Sequence, residues 1–263
     1  MPWASFEGAG VEYYVDGQGP PLVLIHGTGG DAVSNWRFVV DRLSRNWTII
    51  RPNYSGSGGT RDDGRPLTLD YLAGQVLAAA RHAGADGFHL VGFSLGAAVA
   101  ARLAARHPEH VRALVLLAGL ARADARLKLE FELWKTLIRT DRRAMMQLIL
   151  LTGFSPDYIS ALGEHALGNA VEEALPYINW DGMLRQTELD LVADVTADLR
   201  RIVAPTLSIG CTHDHMVPPS HARGLAAEIS GASYAELPTG HISVEENAEA
   251  FLNLVEPFLD AHR

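Results

Sequence analysis

The segment Gly92-Phe93-Ser94-Leu95-Gly96 sets a serine between two glycines, where the apolar run FHLVGF meets the alanine-rich LGAAVAARLAARH. A strand that feeds straight into a helix through G-x-S-x-G makes a sharp turn, and the glycines at 92 and 96 let the backbone fold that tightly. The hydroxyl is then pushed out at the carboxyl end of a strand, where α/β proteins place ligands. The helix that starts beside it favours negative charge there. The chemistry this suits is nucleophilic attack by Ser94 on a carbonyl carbon. The pattern alone is weak, and Ser94 needs partner residues to be reactive.

A serine hydroxyl is a poor nucleophile at neutral pH; it needs a base, and the base needs an orienting acid. His241, in ELPTGHISVEENAEAF, lies just past the last strand-like run and before the last helical one. Asp214, in SIGCTHDHMVPP, lies just past the preceding strand-like run. All three residues therefore fall at carboxyl ends of strands and can converge on one rim of a sheet. A negative tetrahedral centre also needs donors. The Leu95 backbone N–H is one, and the glycine-flanked loop HGTGG (His26 to Gly30) supplies the second through the Thr28 N–H. Losing one such donor costs about 3 kcal/mol of transition-state stabilisation. The scheme requires no metal and no organic cofactor.

Four motifs in order, HGTGG, GFSLG, D-H-M-V-P and G-H-I, resemble the α/β-hydrolase fold family in its capped, serine esterase or thioesterase-like branch, over nearly the whole chain. The resemblance implies a mostly parallel sheet with helices on both faces, an inserted helical cap, and a Ser94–His241–Asp214 triad with Thr28 and Leu95 as oxyanion donors. It departs from the family at RPNYSGSGGT, where many relatives carry Pro-Asp and this chain has Asn53. Ser94 stands where epoxide and haloalkane hydrolases carry aspartate, which excludes their chemistry. The expected reaction is hydrolysis of a carboxylic ester or thioester of a small, largely apolar acyl group through an acyl-enzyme. A meta-cleavage-type C–C hydrolase ranks lower, because HGTGG lacks the Gly-Pro-Gly-like loop frequent in those enzymes. A small-molecule-binding protein of the same fold with little turnover is the alternative from another class.

The elements that must position these residues follow from short apolar runs alternating with helical stretches, the pattern of a parallel sheet covered on both faces. Strands are expected at Val11–Val15, PPLVLIHG, WTIIRPN, FHLVGF, VRALVLLAG, PTLSIGC and SYAELP. Helices are expected at NWRFVVDRLS, at TLDYLAGQVLAAARHAG with Thr68 or Asp70 as N-cap, at LGAAVAARLAARH, PSHARGLAAEI and NAEAFLNLVEPFLDAH. From about Leu120 to Thr196 every periodic stretch reads as helix. The expected division is a core of residues 1–119 and 197–263 with a cap of 120–196. Leu127, Phe131, Trp134 and Ile138 repeat at helical spacing, and internal packing is the favoured reading of that stripe. Phe93, Phe131, Trp134, Met145, Met146 and Trp180 are the candidates to line an apolar substrate pocket.

Other polar residues receive plainer readings. His26 is expected to support the oxyanion loop. His213, His215 and His221 flank Asp214 without a ligand set of structural type, so no metal site is expected. His82, His89, His107, His110, His165 and His262 read as surface or helix-end residues. Asp190, Asp194 and Asp198 read as a solvated row, Ser55 and Ser57 as part of a flexible loop, and Arg139, Arg142, Arg143 and Arg185 as solvated charges.

The chain has 263 residues, a formal net charge of −9 and one cysteine, Cys211. That length suits one large α/β domain with an insertion. The acidic balance disfavours nucleic acid and anionic membrane as partners, leaving a small molecule, with a homodimer open. A single cysteine allows no intrachain disulfide. The first residues lack a basic region followed by an apolar core, so no signal peptide and a cytoplasmic location are expected.

Overall fold

The apolar runs assemble into one eight-stranded sheet, described for residues 1–263 by a computed structural model. The strands are β1 (Trp3–Phe6), β2 (Ala9–Asp16), β3 (Pro21–Ile25), β4 (Thr48–Pro52), β5 (Phe88–Phe93), β6 (Val111–Leu117), β7 (Thr206–Cys211) and β8 (Ser233–Leu237). Their spatial order is β1-β2-β4-β3-β5-β6-β7-β8. β1–β2 and β2–β4 pair antiparallel, and every other pair is parallel.

Side chains on the central strands divide between two apolar clusters with period two, because successive Cβ atoms point to opposite faces. Val23, Ile25, Leu90, Leu114 and Leu116 join one cluster; Leu22, Leu24, Val91, Val115 and Leu117 join the other. The first face is covered by α2 (Leu69–His82), α3 (Leu95–Arg106), α8 (Thr196–Leu199) and α9 (Pro219–Glu228). The second is covered by α1 (Val40–Leu43), α10 (Ser243–Glu246) and α11 (Ala248–Asp260). Thr68 caps α2, its side chain accepting from the Tyr71 N–H at 3.1 Å.

Between β6 and β7 the chain forms α4 (Ala125–Thr140), α5 (Arg142–Gly153), α6 (Pro156–Ala174) and α7 (Trp180–Asp190). Each begins at a side chain suited to accept from the first free amides: Asp124 from Leu127, Asp141 from Ala144, Ser155 from Tyr158 and Asn179 from Gly182. α6 runs further than its apolar pattern suggests and kinks at Gly163, whose φ is +75°. These helices share a third apolar cluster containing Leu127, Phe131, Trp134, Ile138, Met145, Met146 and Trp180. No helix is long and apolar enough to cross a membrane.

Three expectations need correction. The short strand β1 has no counterpart in the sequence reading; it is joined to β2 by Glu7 and Gly8 at φ 43° and 87°, a two-residue hairpin turn. NWRFVVDRLS is regular α-helix only at Val40–Leu43, because the preceding turns mix bonds three and four residues back, as in Trp36 N–H to Val33 and Arg37 N–H to Val33. His89 is enclosed rather than superficial: it sits on β5 facing the second cluster, edge-on to Trp47 and bonded to the His262 carbonyl at 2.8 Å.

Candidate active site

Ser94 joins β5 to α3 at φ 56°, ψ −120°, a region that costs a non-glycine residue about 1–3 kcal/mol. The turn is enforced from both sides. A Cβ on Gly92 would stand 2.2 Å from the Gly96 carbonyl oxygen, and a Cβ on Gly96 would stand 2.4 Å from that of His26. The Ser94 N–H donates to the Leu117 carbonyl at 2.9 Å, tying the turn to β6.

His241 and Asp214 arrive on the loops after β8 and β7. Ser94 Oγ lies 3.0 Å from His241 Nε2, and His241 Nδ1 lies 2.6 Å from Asp214 Oδ2. The carboxylate only accepts, so Nδ1 carries the proton and Nε2 offers its lone pair to the serine hydroxyl. Asp214 Oδ1 accepts from the N–H groups of Met216 at 2.8 Å and Val217 at 2.7 Å, which fixes the carboxylate's orientation. Both His241 and Asp214 are buried. This chain of bonds can carry the hydroxyl proton to the imidazole and stabilise the cation that forms.

The loop His26–Gly30 faces the same turn. A Cβ on Gly27 would lie 3.1 Å from the Ser94 Cβ. The Gly27 N–H donates to Asn35 Oδ1, the Gly29 N–H to Gln186 Oε1 and the Gly30 N–H to the Gly27 carbonyl. Among these neighbours the Thr28 N–H has no acceptor. Leu95 opens α3, so its N–H has no acceptor within the helix. Beneath the loop His26 is fully buried, its ring 3.9 Å from that of Tyr54 and its Nδ1 donating to the Gly27 carbonyl. Burial pushes its pKa down to about 4, so the ring stays neutral.

Of the six pocket candidates, Phe93 meets the imidazole of His241, with ring centroids 4.9 Å apart. Phe131, Trp134, Met145, Met146 and Trp180 pack together in the third apolar cluster, which also holds Met216 and Val217 beside Asp214. The four arginines are engaged within the chain: Arg139 with Glu188, Arg143 with Glu172, Arg185 with Asp62, and Arg142 over the Trp180 ring.

Sequence reasoning misses several residues that hold the site. Asp190 is buried and accepts from Thr28 Oγ1 at 2.6 Å; Asp198 is buried against Arg102 at 2.7 Å. Neither belongs to a solvated row: Asp190 ends α7 against the Thr28 loop, and Asp198, on α8, is enclosed against Arg102 of α3. Ser55 and Ser57 are also buried: the Ser55 N–H donates to Gln75 Oε1, and the Ser57 hydroxyl donates to the Gly30 carbonyl. A loop so bonded is rigid packing. Gly153, at the end of α5, accepts from the Ile242 N–H at 2.8 Å, and Thr152 accepts from the His215 N–H. Glu246 accepts from the Gly240 N–H and from the Ser155 hydroxyl, joining the His241 loop to α6. Two carboxyls, one half-buried and one buried, lie in electrostatic reach of His241. Burial raises Glu130, on α4, to about 7, against the pull of Arg126, and raises Asp190 to about 7 as well.

A family model described as alpha/beta hydrolase fold matches residues 20–248. A pyrrolizixenacetamide deacetylase of Xenorhabdus hominickii is 52% identical over 252 residues, covering 95% of each chain. Among solved structures, an enol-lactonase from Burkholderia xenovorans superposes with a TM-score of 0.89 at 28% identity, over 98% of this chain and 100% of that one. A meta-cleavage product hydrolase from Pseudomonas fluorescens superposes with a TM-score of 0.83 at 24% identity, over 100% of this chain and 98% of that one, a likeness of fold alone.

Proposed function

The chain belongs to the alpha/beta hydrolase fold family, and from that premise we propose that it is a serine hydrolase removing a small acyl group from an amide or ester through an acyl-enzyme. The observation that carries the reading is the continuous hydrogen-bonded path from Ser94 Oγ through His241 to Asp214, at 3.0 and 2.6 Å. His241 takes the Ser94 proton as the oxygen attacks the carbonyl carbon. Asp214 holds the imidazole and stabilises its protonated form. The amides of Thr28 and Leu95 receive the oxyanion. His241 then returns its proton to the departing nitrogen or oxygen, and a water activated by the same imidazole releases the acid. No step calls for a metal or an organic cofactor.

We read residues 120–196 as a cap over a core of 1–119 and 197–263, since α4, α5 and α7 all contact the loops that carry Asp214, His241 and Thr28. The ester or thioester expected from the motifs is widened here to amides. The 52% identical relative is named for removing acetyl from an acetamide, and the 28% identical neighbour is named for opening an enol lactone. An acetyl group on nitrogen is therefore the preferred acyl substrate. Phe93 against His241 gives that methyl an apolar neighbour.

The test is hydrolysis of p-nitroacetanilide, p-nitrophenyl esters of graded chain length and acetyl-coenzyme A by wild type and Ser94→Ala. Turnover of the acetyl anilide and ester, lost in Ser94→Ala, supports the reading. Equal slow turnover by both proteins favours a binding protein, and preference for the coenzyme A thioester refutes the amide assignment.

A further inference from the structure

Helix α7 does more than complete the third apolar cluster. Gly182, Gln186 and Asp190 are spaced four residues apart, so they form one stripe along the helix. At the first of them α7 lies backbone to backbone on the loop after β4: a Cβ on Gly182 would stand 1.9 Å from the Gly56 carbonyl oxygen. One turn on, Gln186 accepts from the Gly29 N–H at 2.8 Å and donates to the Ser57 hydroxyl at 2.9 Å. Two turns on, Asp190 accepts the Thr28 hydroxyl at 2.6 Å.

We propose that Asp190 is a positioning residue for the oxyanion hole: through the Thr28 hydroxyl it fixes the peptide whose N–H receives the oxyanion, so that turnover depends on α7 being seated on this loop. The inference rests on the serine-hydrolase reading above. Two glycines flank Thr28, and the backbone there has little stiffness of its own. Outside contacts must supply it, and they come from Asn35 at Gly27, from Gln186 at Gly29 and from Asp190 at Thr28 itself.

The electrostatics agree with this role. A buried carboxyl with no cationic partner is a costly way to fill space. His241 and Tyr54 are the titratable groups that face Asp190 from other elements. On α7 itself Arg185 turns to Asp62 and Glu188 to Arg139. Burial keeps the Asp190 carboxyl protonated up to about pH 7. It therefore holds Thr28 without setting a full negative charge beside the developing oxyanion. Asparagine offers the same neutral acceptor.

The experiment measures kcat and KM for p-nitrophenyl acetate and p-nitroacetanilide, each normalised to sites titrated with a fluorophosphonate. Thr28→Val and Asp190→Ala are expected to lower kcat about 10- to 100-fold, since small misplacements of a catalytic group cost up to about 100-fold. KM should stay within about twofold, because the contact serves the oxyanion rather than ground-state binding. The double variant should be no worse than the more impaired single one. Asp190→Asn and Thr28→Ser should keep kcat within about fivefold of wild type, as replacements that retain the bond. A Thr28→Val enzyme with wild-type kcat per titrated site overturns the proposal, as does Asp190→Asn falling as far as Asp190→Ala. If Asp190→Ala does not fold, the Thr28 pair decides the matter. Absence of labelling at Ser94 in wild type would instead overturn the parent reading, while normal labelling with unaffected Thr28→Val turnover sinks the positioning role alone.

Discussion

Replacing Asp214 with asparagine exchanges one oxygen for an NH2 group, and the surroundings dictate where that group goes. Oδ1 of Asp214 accepts from two backbone amides, Met216 at 2.8 Å and Val217 at 2.7 Å, and Oδ2 faces His241 Nδ1 at 2.6 Å. Turning the NH2 toward the amides would leave buried donors unpaired, at about 1–3 kcal/mol each. The amide oxygen therefore stays with Met216 and Val217, and the NH2 faces His241. Nδ1 must then accept, the imidazole proton moves to Nε2, and the lone pair that would take the Ser94 proton is gone. Holding the wrong tautomer in otherwise intact geometry lowers kcat about 10⁴-fold, about 5 kcal/mol in the barrier. Acetyl ester and anilide turnover per folded molecule would be measured, with urea unfolding to confirm stability and 15N NMR to assign the His241 tautomer. Asp214→Asn should unfold close to wild type, whereas Asp214→Ala should be less stable because it strands both amides. Turnover of Asp214→Asn within about tenfold of wild type would show that the His241 tautomer is not set by Asp214.

Three further outcomes are expected. Gly182→Ala forces a methyl to within 1.9 Å of the Gly56 oxygen and should cost about 1–3 kcal/mol of stability by overpacking; an unchanged urea midpoint would show that α7 does not press on this loop. Glu130, raised to about 7 by burial, holds a proton in the folded state that the unfolded chain releases near the usual carboxylate pKa. Its stabilising effect is therefore present below about pH 4 and lost as pH rises through about 7. Glu130→Gln should accordingly gain stability over wild type between about pH 5 and pH 8, and parallel pH profiles for the two proteins would contradict this. Cys211 is buried, and that burial pushes its thiol up to about 12, so a disulfide reagent at pH 8 should modify it only after unfolding; rapid modification of native protein would disprove its enclosure.

The sequence discloses the sheet and the bonded path unevenly. The convergence of Ser94, Asp214 and His241 is legible because each follows a short strand-like run, strongly apolar before Ser94 and Asp214 and weaker before His241, and the ends of parallel strands share one rim. The four helices between β6 and β7 are legible because each opens on a capping side chain, joined in α4, α5 and α7 to an apolar period; α6, with only Val171 buried, shows its start more clearly than its extent. β1 escapes notice since only one of its four residues is buried and its turn is Glu-Gly rather than the more recognisable Asn-Gly. Asp190 escapes for a different reason. Its burial arises from contact with Thr28, 162 residues away, and the local pattern around it reads as polar. The same holds for Ser55 and Ser57, whose glycine-rich neighbourhood suggests freedom until α7 and Gln75 close over them. Local periodicity reports which face of an element is apolar, but it is silent on polar groups buried by a distant segment.

Activation of Ser94 by His241, with Asp214 orienting the imidazole, is open to direct chemical trapping. Treating folded wild-type protein with a fluorophosphonate, digesting it and locating the adduct by mass spectrometry tests this most directly. One adduct is expected, on Ser94, forming rapidly in wild type and at least about 100-fold more slowly in His241→Ala, the span for removing a general base. An unmodified Ser94 in folded protein, or equal labelling rates with and without the imidazole, would contradict that activation.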